Sequence, residues 1–294
     1  SVDTSIGLGL TGGHPETNGV LPSGANIMVP EHFHEIELDL YRYEIGLSRT
    51  FGNDFDAAIR FPYFIKDQTA STTLNPTATP GESDASVRNG FIHHRTETYS
   101  GFSDPEISLG WRKRDLFGPG SIMRVALGFT VPIGNTEEDP WILGANGQEH
   151  LHIQFGNGTF DPLLEFYLGK PISEKWAWNF YSKARLPFYH NSKGYRGFSE
   201  VTASPRVTYL VNKDFSLSAG IVGQYLGYAD WEETGRDENS GQFTLLGSLS
   251  AGYKVNASTT VSASVLLPIY SKTFSDEDVL DPTPTFSLSV GYSF

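Results

Sequence analysis

The chain has 294 residues, no cysteine and a formal net charge of −13. That excludes disulfides, thiolate metal sites and cysteine nucleophiles, and argues against nucleic acid as a partner. No run of about 18 apolar residues occurs, so no transmembrane helix is encoded; the mean hydropathy of −0.27 fits equally a barrel in which only alternate residues meet lipid.

Aromatic residues make up 13% and glycines number 31, a composition that favours strand over helix. Ser1 opens with neither a basic start nor an apolar core, so the sequence reads as a mature one. Twelve segments alternate with period two, most of them about ten to fifteen residues long, the order of length a tilted membrane-spanning strand requires. The first runs from Val2 to Leu10 and is the weakest. The second, Ile36 to Arg49, switches apolar phase from Ile36, Leu38 and Leu40 to Tyr41, Tyr43, Ile45 and Leu47, which predicts a β-bulge near Leu40. The third, Phe55 to Ile65, is clean. Then follow Pro105 to Lys113, Ser121 to Val131, Phe160 to Gly169, Trp176 to Phe188, Val201 to Val211, Phe215 to Ala229, Phe243 to Tyr253 and Thr259 to Tyr270. The last, Pro284 to Phe294, sets Phe286, Leu288, Val290, Tyr292 and Phe294 against Thr285, Ser287, Ser289, Gly291 and Ser293.

Connections alternate between short and long. The short ones are Thr50–Asp54, Arg114–Gly120, Lys170–Lys175, Asn212–Asp214 and Val255–Ser258. The long ones are Thr11–Glu35, Asp67–Asp104, Pro132–Thr159, Tyr189–Glu200, Asp230–Gln242 and Ser271–Thr283. A soluble sandwich has no reason to sort its loops so. A membrane barrel does, with short periplasmic turns and long extracellular loops, and an even strand count puts both termini in the periplasm. Closure is demanded because an open sheet edge in hydrocarbon leaves backbone groups unpaired. The predicted fold is all-β: a single domain over residues 1–294, an up-and-down antiparallel transmembrane barrel of about twelve strands. Aromatics suit its two girdles. Phe51, Phe117, Trp176, Phe215, Tyr253, Tyr292 and Phe294 lie near the short turns; Phe188, Tyr225, Tyr228, Trp231, Tyr270 and Phe274 lie near the long loops. Strand propensity alone also favours aromatics.

If the apolar phase faces lipid, the other phase lines a lumen. It carries Arg42, Glu44, Asp56, Arg60, Lys66, Glu106, Arg112, Arg114, Arg124, Glu165, Tyr167, Asn179, Tyr181, Lys183, Arg185 and Arg206. Strand-borne charge keeps to this phase because Arg or Lys at mid-bilayer costs roughly 2–4 kcal/mol. The last four strands offer Ser, Thr, Gly, Gln224, Leu226, Leu266 and Tyr270 instead. An arginine-rich wall can orient an anionic or polar-headed solute; the same Arg and Glu can equally form ion pairs that stiffen the barrel.

The long loops hold much acidity, including Glu137, Glu138, Asp139, Asp230, Glu232, Glu233, Asp276, Glu277 and Asp278. Solvated charge and divalent-cation contact with lipopolysaccharide are both open readings. Apolar loop stretches at Ile27–Val29, Phe91–Ile92, Trp141–Leu143 and Leu151–Phe155 point to packing or binding, with Phe91, Trp141, Leu151 and Phe155 the candidates for a constriction at the barrel mouth.

Catalytic signatures are missing: neither G-x-S-x-G nor H-E-x-x-H occurs. His32/His34, His93/His94 and His150/His152 form loop pairs, from which no metal site is assigned. His14 reads as part of a turn, and Asp276–Asp278 lacks the spacing of a calcium loop. No cofactor is expected.

Several stretches carry a resemblance: Gly12-Gly13-His14, Leu21–Gly24, Gly101–Trp111, Val131–Gly134 and Gly158–Pro162. Together they resemble the meta-pathway phenol-degradation family of outer-membrane channels. The resemblance implies a monomeric channel taking up small hydrophobic molecules through a narrow, gated lumen; the charged inner wall suits an aromatic acid better. The terminal Phe294 resembles the signal by which outer-membrane barrels engage their assembly machinery. The expected partners are thus membrane lipid, lipopolysaccharide, that machinery and a small solute. A barrel enzyme acting on lipid or peptide, and a plugged structural barrel, are the alternative readings.

Overall fold

A computed structural model of the protein describes residues 1–274 and 281–294. In chain order the elements are Val2–Val20 (β1), Asn26–Phe51 (β2), Phe55–Thr73 (β3), Pro80–His93 (α1), Glu97–Phe102 (β4), Glu106–Arg114 (β5) and Ile122–Thr130 (β6). Pro140–Ala145 (α2), Pro162–Pro171 (β7), Trp176–Arg185 (β8), Tyr195–Arg196 (β9), Glu200–Leu210 (β10) and Phe215–Leu226 (β11) follow. Asp230–Trp231 (β12), Gly235–Arg236 (β13), Gln242–Lys254 (β14), Thr259–Thr273 (β15) and Thr285–Tyr292 (β16) complete the chain.

Twelve of these strands form a closed antiparallel barrel. Each pairs with its neighbour in sequence, and β1 closes the ring on β16 with Val2 opposite Val290. Closure leaves no open sheet edge in the membrane-spanning part, as hydrocarbon requires. Along β16, Phe286, Leu288, Val290 and Tyr292 stand outward and exposed. On the outer face of β8 to β16, small residues Ala219, Ala251 and Ala263 floor an apolar groove of about 760 Å³ walled by Trp176, Leu217, Leu249 and Phe286.

The predicted segments fit closely at the short-turn end, but the first three barrel strands run much further the other way. Residues 11–20 and 26–35, expected as loop, continue β1 and β2 as a hairpin whose tip is a turn at Leu21–Ala25, with Gly24 at φ +83°. His14 accordingly lies in a strand. The phase switch in β2 is not a slip of β2: it pairs with β3 without interruption from Phe33 to Phe51. Even-numbered residues face inward throughout, from His34 and Leu38 to Glu44. What changes is the solvent. Below Asp39 the outward row is Tyr41, Tyr43, Ile45 and Leu47; above it the outward row is Asp39, Glu37 and Glu35, and the apolar residues turn in to cover the mouth. The bulge sits in the partner strand, between Gly7 and Leu10, where Gly9 adopts φ +68° and its N–H donates to Asp39 Oδ1 at 2.7 Å. Tyr270, expected inward, lies past a register shift between β14 and β15 and pairs with Leu245 on the outer face, half exposed.

The stretch between β3 and β5 is also ordered. Thr79 and Glu82 form a reciprocal capping box with Pro80 in the first turn, the arrangement that starts a helix, and α1 packs Ala85, Ser86, Asn89 and Ile92 against the mouth. The chain then returns as β4, which pairs with the upper part of β3, and after Pro105 as β5, which pairs with its lower part. Trp231, expected in a girdle, is instead 2% exposed. It packs with Tyr195 and Ala229 in a small core of the long loops, Trp231 and Tyr195 facing each other as partners in the three-stranded sheet of β9, β12 and β13.

Candidate functional site: lumen and mouth

The inward charges of β3, β5, β6, β7 and β8 form one connected network. Arg124 Nη2 meets Asp56 Oδ2 at 2.7 Å and its Nη1 meets Glu165 Oε2 at 2.8 Å. Arg60 pairs with Glu106 at 3.1 Å and also with Glu165, and Lys183 pairs with Glu106. Arg112 approaches Asp56 more loosely, at 3.5 Å. Glu165 and Asp56 are almost wholly buried, and such carboxylates persist only when paired and hydrogen-bonded. Arg124 on β6 reaches Asp56 on β3 across the intervening β5. Gly110 makes the passage: a Cβ there would stand 2.7 Å from Arg124 Nε and 2.8 Å from Nη2.

The network holds four cations (Arg60, Arg112, Arg124, Lys183) against three carboxylates (Asp56, Glu106, Glu165). Arg42 pairs with Glu44, and Arg185 with Glu200 at 3.3 Å. Tyr181 stands beside Arg60 in register with Tyr167. Arg206 enters no ion pair among the described residues. Most of the wall's cations are thus neutralised locally, and positive charge is left over at Arg206 and, in part, at Arg112.

Above the network, the mouth encloses a cavity of about 370 Å³ lined by Ile36, Leu38, Gln68, Trp141, Leu151, Ile153 and several histidines. Trp141 and Leu151, expected at a constriction, both line this cavity. Phe155 is buried under Lys66, whose ammonium lies 4.8 Å from its ring centre and donates to the Gln154 carbonyl at 2.8 Å. Phe91 departs from the expectation: it is 56% exposed and outside the lining, because α1 turns its other face to the barrel.

Three of the short motifs converge to hold the loops at this rim. Asp104, 3% exposed, accepts the N–H of Gly134 through Oδ1 and that of Gly158 through Oδ2, both at 2.9 Å. Thr130 Oγ1 donates to the Thr159 carbonyl at 2.7 Å and accepts the N–H of Asp161 at 2.8 Å. Burial raises the Asp161 carboxyl, against the hydrogen bonds from Thr159 and Asn157. A Cβ on Gly134 or Gly156 would press on Asp104.

The structure also gathers seven of the eight histidines, which the sequence presents as separate pairs. His14, His34 and His94 bring ring nitrogens within 4.8 Å of one another, and so do His93, His150 and His152; His32 packs on His34 with ring centres 4.8 Å apart. Burial, then repulsion among neighbours, lowers His34 and His93 to about 4 and His94 to about 3. His150 and His152 are lowered by the same desolvation. The eighth, His190, pairs with Asp230 at 2.7 Å.

No family model matches the chain, and no curated protein does. Among solved structures, the COG4313 outer membrane channel from Pseudomonas putida F1 superposes with a TM-score of 0.55 at 14% identity, over 100% of this chain and 95% of that one. It shares the fold. The NanC porin matches at a TM-score of 0.45 and 8% identity, over the whole of both chains. The toluene transporter TodX from P. putida matches at 0.40 and 9%, over 99% of this chain and 88% of its own. Those two scores are too low to argue from.

Proposed function

We propose that the protein is a passive uptake channel of a bacterial outer membrane for small amphipathic molecules with an acidic head, such as aromatic acids. The observation that carries this is the vertical order of the lumen: a mouth cavity of about 370 Å³ with an apolar side of Ile36, Leu38, Trp141, Leu151 and Ile153 facing a side of histidines and other polar residues, above a polar wall whose cations outnumber its carboxylates. The apolar body of a solute would be desolvated against the apolar side of the mouth and its carboxylate would then meet Arg206, which enters no ion pair among the described residues, and Arg112, held only loosely by Asp56 at 3.5 Å. Preorganised guanidinium groups recognise carboxylates bidentately, and a nearly balanced wall holds the anion weakly enough to release it. In this reading the long loops are extracellular, both termini are periplasmic, the barrel is a monomer, and Phe294 faces the assembly machinery.

Single-channel recording in planar bilayers tests it, with Arg112→Ala plus Arg206→Ala beside the parent. Small anion-preferring conductance, with the preference weakened in the double variant and benzoate uptake by liposomes reduced, is expected. Cation preference, or liposomes that take up neutral sugars as readily as benzoate, would overturn it.

A further inference from the structure

The lumen leaves the histidine cluster unexplained. Its rings come from four parts of the chain: His14 from β1, His34 from β2, His93 and His94 from the end of α1, His150 and His152 from the segment after α2. Glu16 lines the same cavity, but its Oε1 is taken by the N–H groups of Thr17 and Asn18 and none of the six rings forms an ion pair among the described residues, so ion pairing does not account for them. His34 is 1% exposed, yet neither ring nitrogen has a hydrogen-bond partner, an arrangement that costs free energy unless something else occupies the nitrogens. His14 and His94 point Nε2 at Nε2 across 3.3 Å, and His150 Nε2 lies 2.9 Å from His93 Nδ1. Two of the rings are oriented from behind by main-chain carbonyls, His14 Nδ1 by Pro15 at 3.3 Å and His150 Nδ1 by Gln148 at 2.8 Å. A proton held there leaves Nε2 as a lone pair facing its trio, the outer-shell arrangement found behind metal-bound imidazoles.

We infer that each trio binds one divalent first-row transition ion through three imidazole nitrogens. An all-nitrogen donor set with neither thiolate nor carboxylate selects zinc, copper, nickel or cobalt over magnesium and calcium, and three histidines leave an open coordination position. Because the ligands span four segments, the ions tie α1 and the segment after α2 to the tall wall of β1 and β2.

Purified, chelator-treated protein is titrated with Co²⁺, read by visible d–d absorption, and with Zn²⁺, read by calorimetry. Two equivalents of micromolar or tighter affinity are expected, with no response to Mg²⁺ or Ca²⁺. His14→Gln with His94→Gln should remove one equivalent, and His93→Gln with His152→Gln the other. Heat-modifiability on gels shows that each variant barrel is folded; a variant that fails this check is replaced by the corresponding Asn pair. No binding by folded parent protein, a single equivalent in the parent, either pair of substitutions leaving both equivalents in place, or either pair abolishing both would each overturn the assignment of one ion per trio.

Discussion

At the scale of single residues, the lumen depends on a side chain that is absent. Gly110 has an ordinary negative φ, so the backbone does not require glycine there; the guanidinium of Arg124 does. In Gly110→Ala the flexible end of Arg124 is displaced, and its link to Asp56 breaks while the backbone ladder stays. The loss is about 1–3 kcal/mol for charged hydrogen bonds. Bilayer recording should show larger conductance, with heat-modifiability unchanged. Asp104 works the opposite way, by what it accepts. Asp104→Ala strands the N–H groups of Gly134 and Gly158, at about 1–3 kcal/mol for each donor left buried, and limited proteolysis should then cut within residues 132–160 while the barrel stays intact. The sequence shows the inward phase of each charge, since alternation is local. It cannot show which Arg meets which Glu, because Asp56 and Arg124 are 68 residues apart and meet only through a gap in the strand between them.

At the scale of elements, β2 shows how alternation carries two messages that are easily merged. The period reports which residues share a face; the polarity of that face reports its solvent. Ile36, Leu38 and Leu40 look like a change of phase only if the lipid is assumed to continue upward. The outward row at Glu37 meets water, and Ile45 meets hydrocarbon. Accordingly Ile45→Arg should cost roughly 2–4 kcal/mol in reversible urea unfolding from lipid vesicles, and Glu37→Arg should be near neutral. Helix α1 was readable in principle from Thr79-Pro80 with Glu82 three residues after the cap. It is short, lies between strands and has no wide apolar face, so strand periodicity hides it. The histidine pairs are local in sequence, but their convergence is tertiary and left no trace in spacing.

At the scale of the molecule, the ring of strands and the filling of its mouth are separable. Alternation, sorted loops and an even strand count made the ring legible, because closure is a requirement of the solvent. The mouth was not, since loops obey no such rule. Replacing residues 76–95 with a short Gly/Ser linker should leave a folded, heat-modifiable barrel and raise its conductance in bilayers; an unchanged conductance would show that α1 takes no part in closing the path. The unequal height of the wall has one more consequence. Among the described residues β16 follows β1 no further than Gly7 and the Thr11 carbonyl accepts the N–H of Asp281 at 2.9 Å, whereas β1 continues to Val20, so beyond Thr11 no described strand pairs with its far side and that edge is open to augmentation by a strand from another molecule. The chain blunts it in sequence: Pro15 has no N–H to offer, and Glu16 turns its Oε1 onto the N–H groups of Thr17 and Asn18 at 2.8 and 2.9 Å, within the second bulge of β1. The part of β1 that rises past its barrel neighbour is thereby kept from stitching one barrel to another.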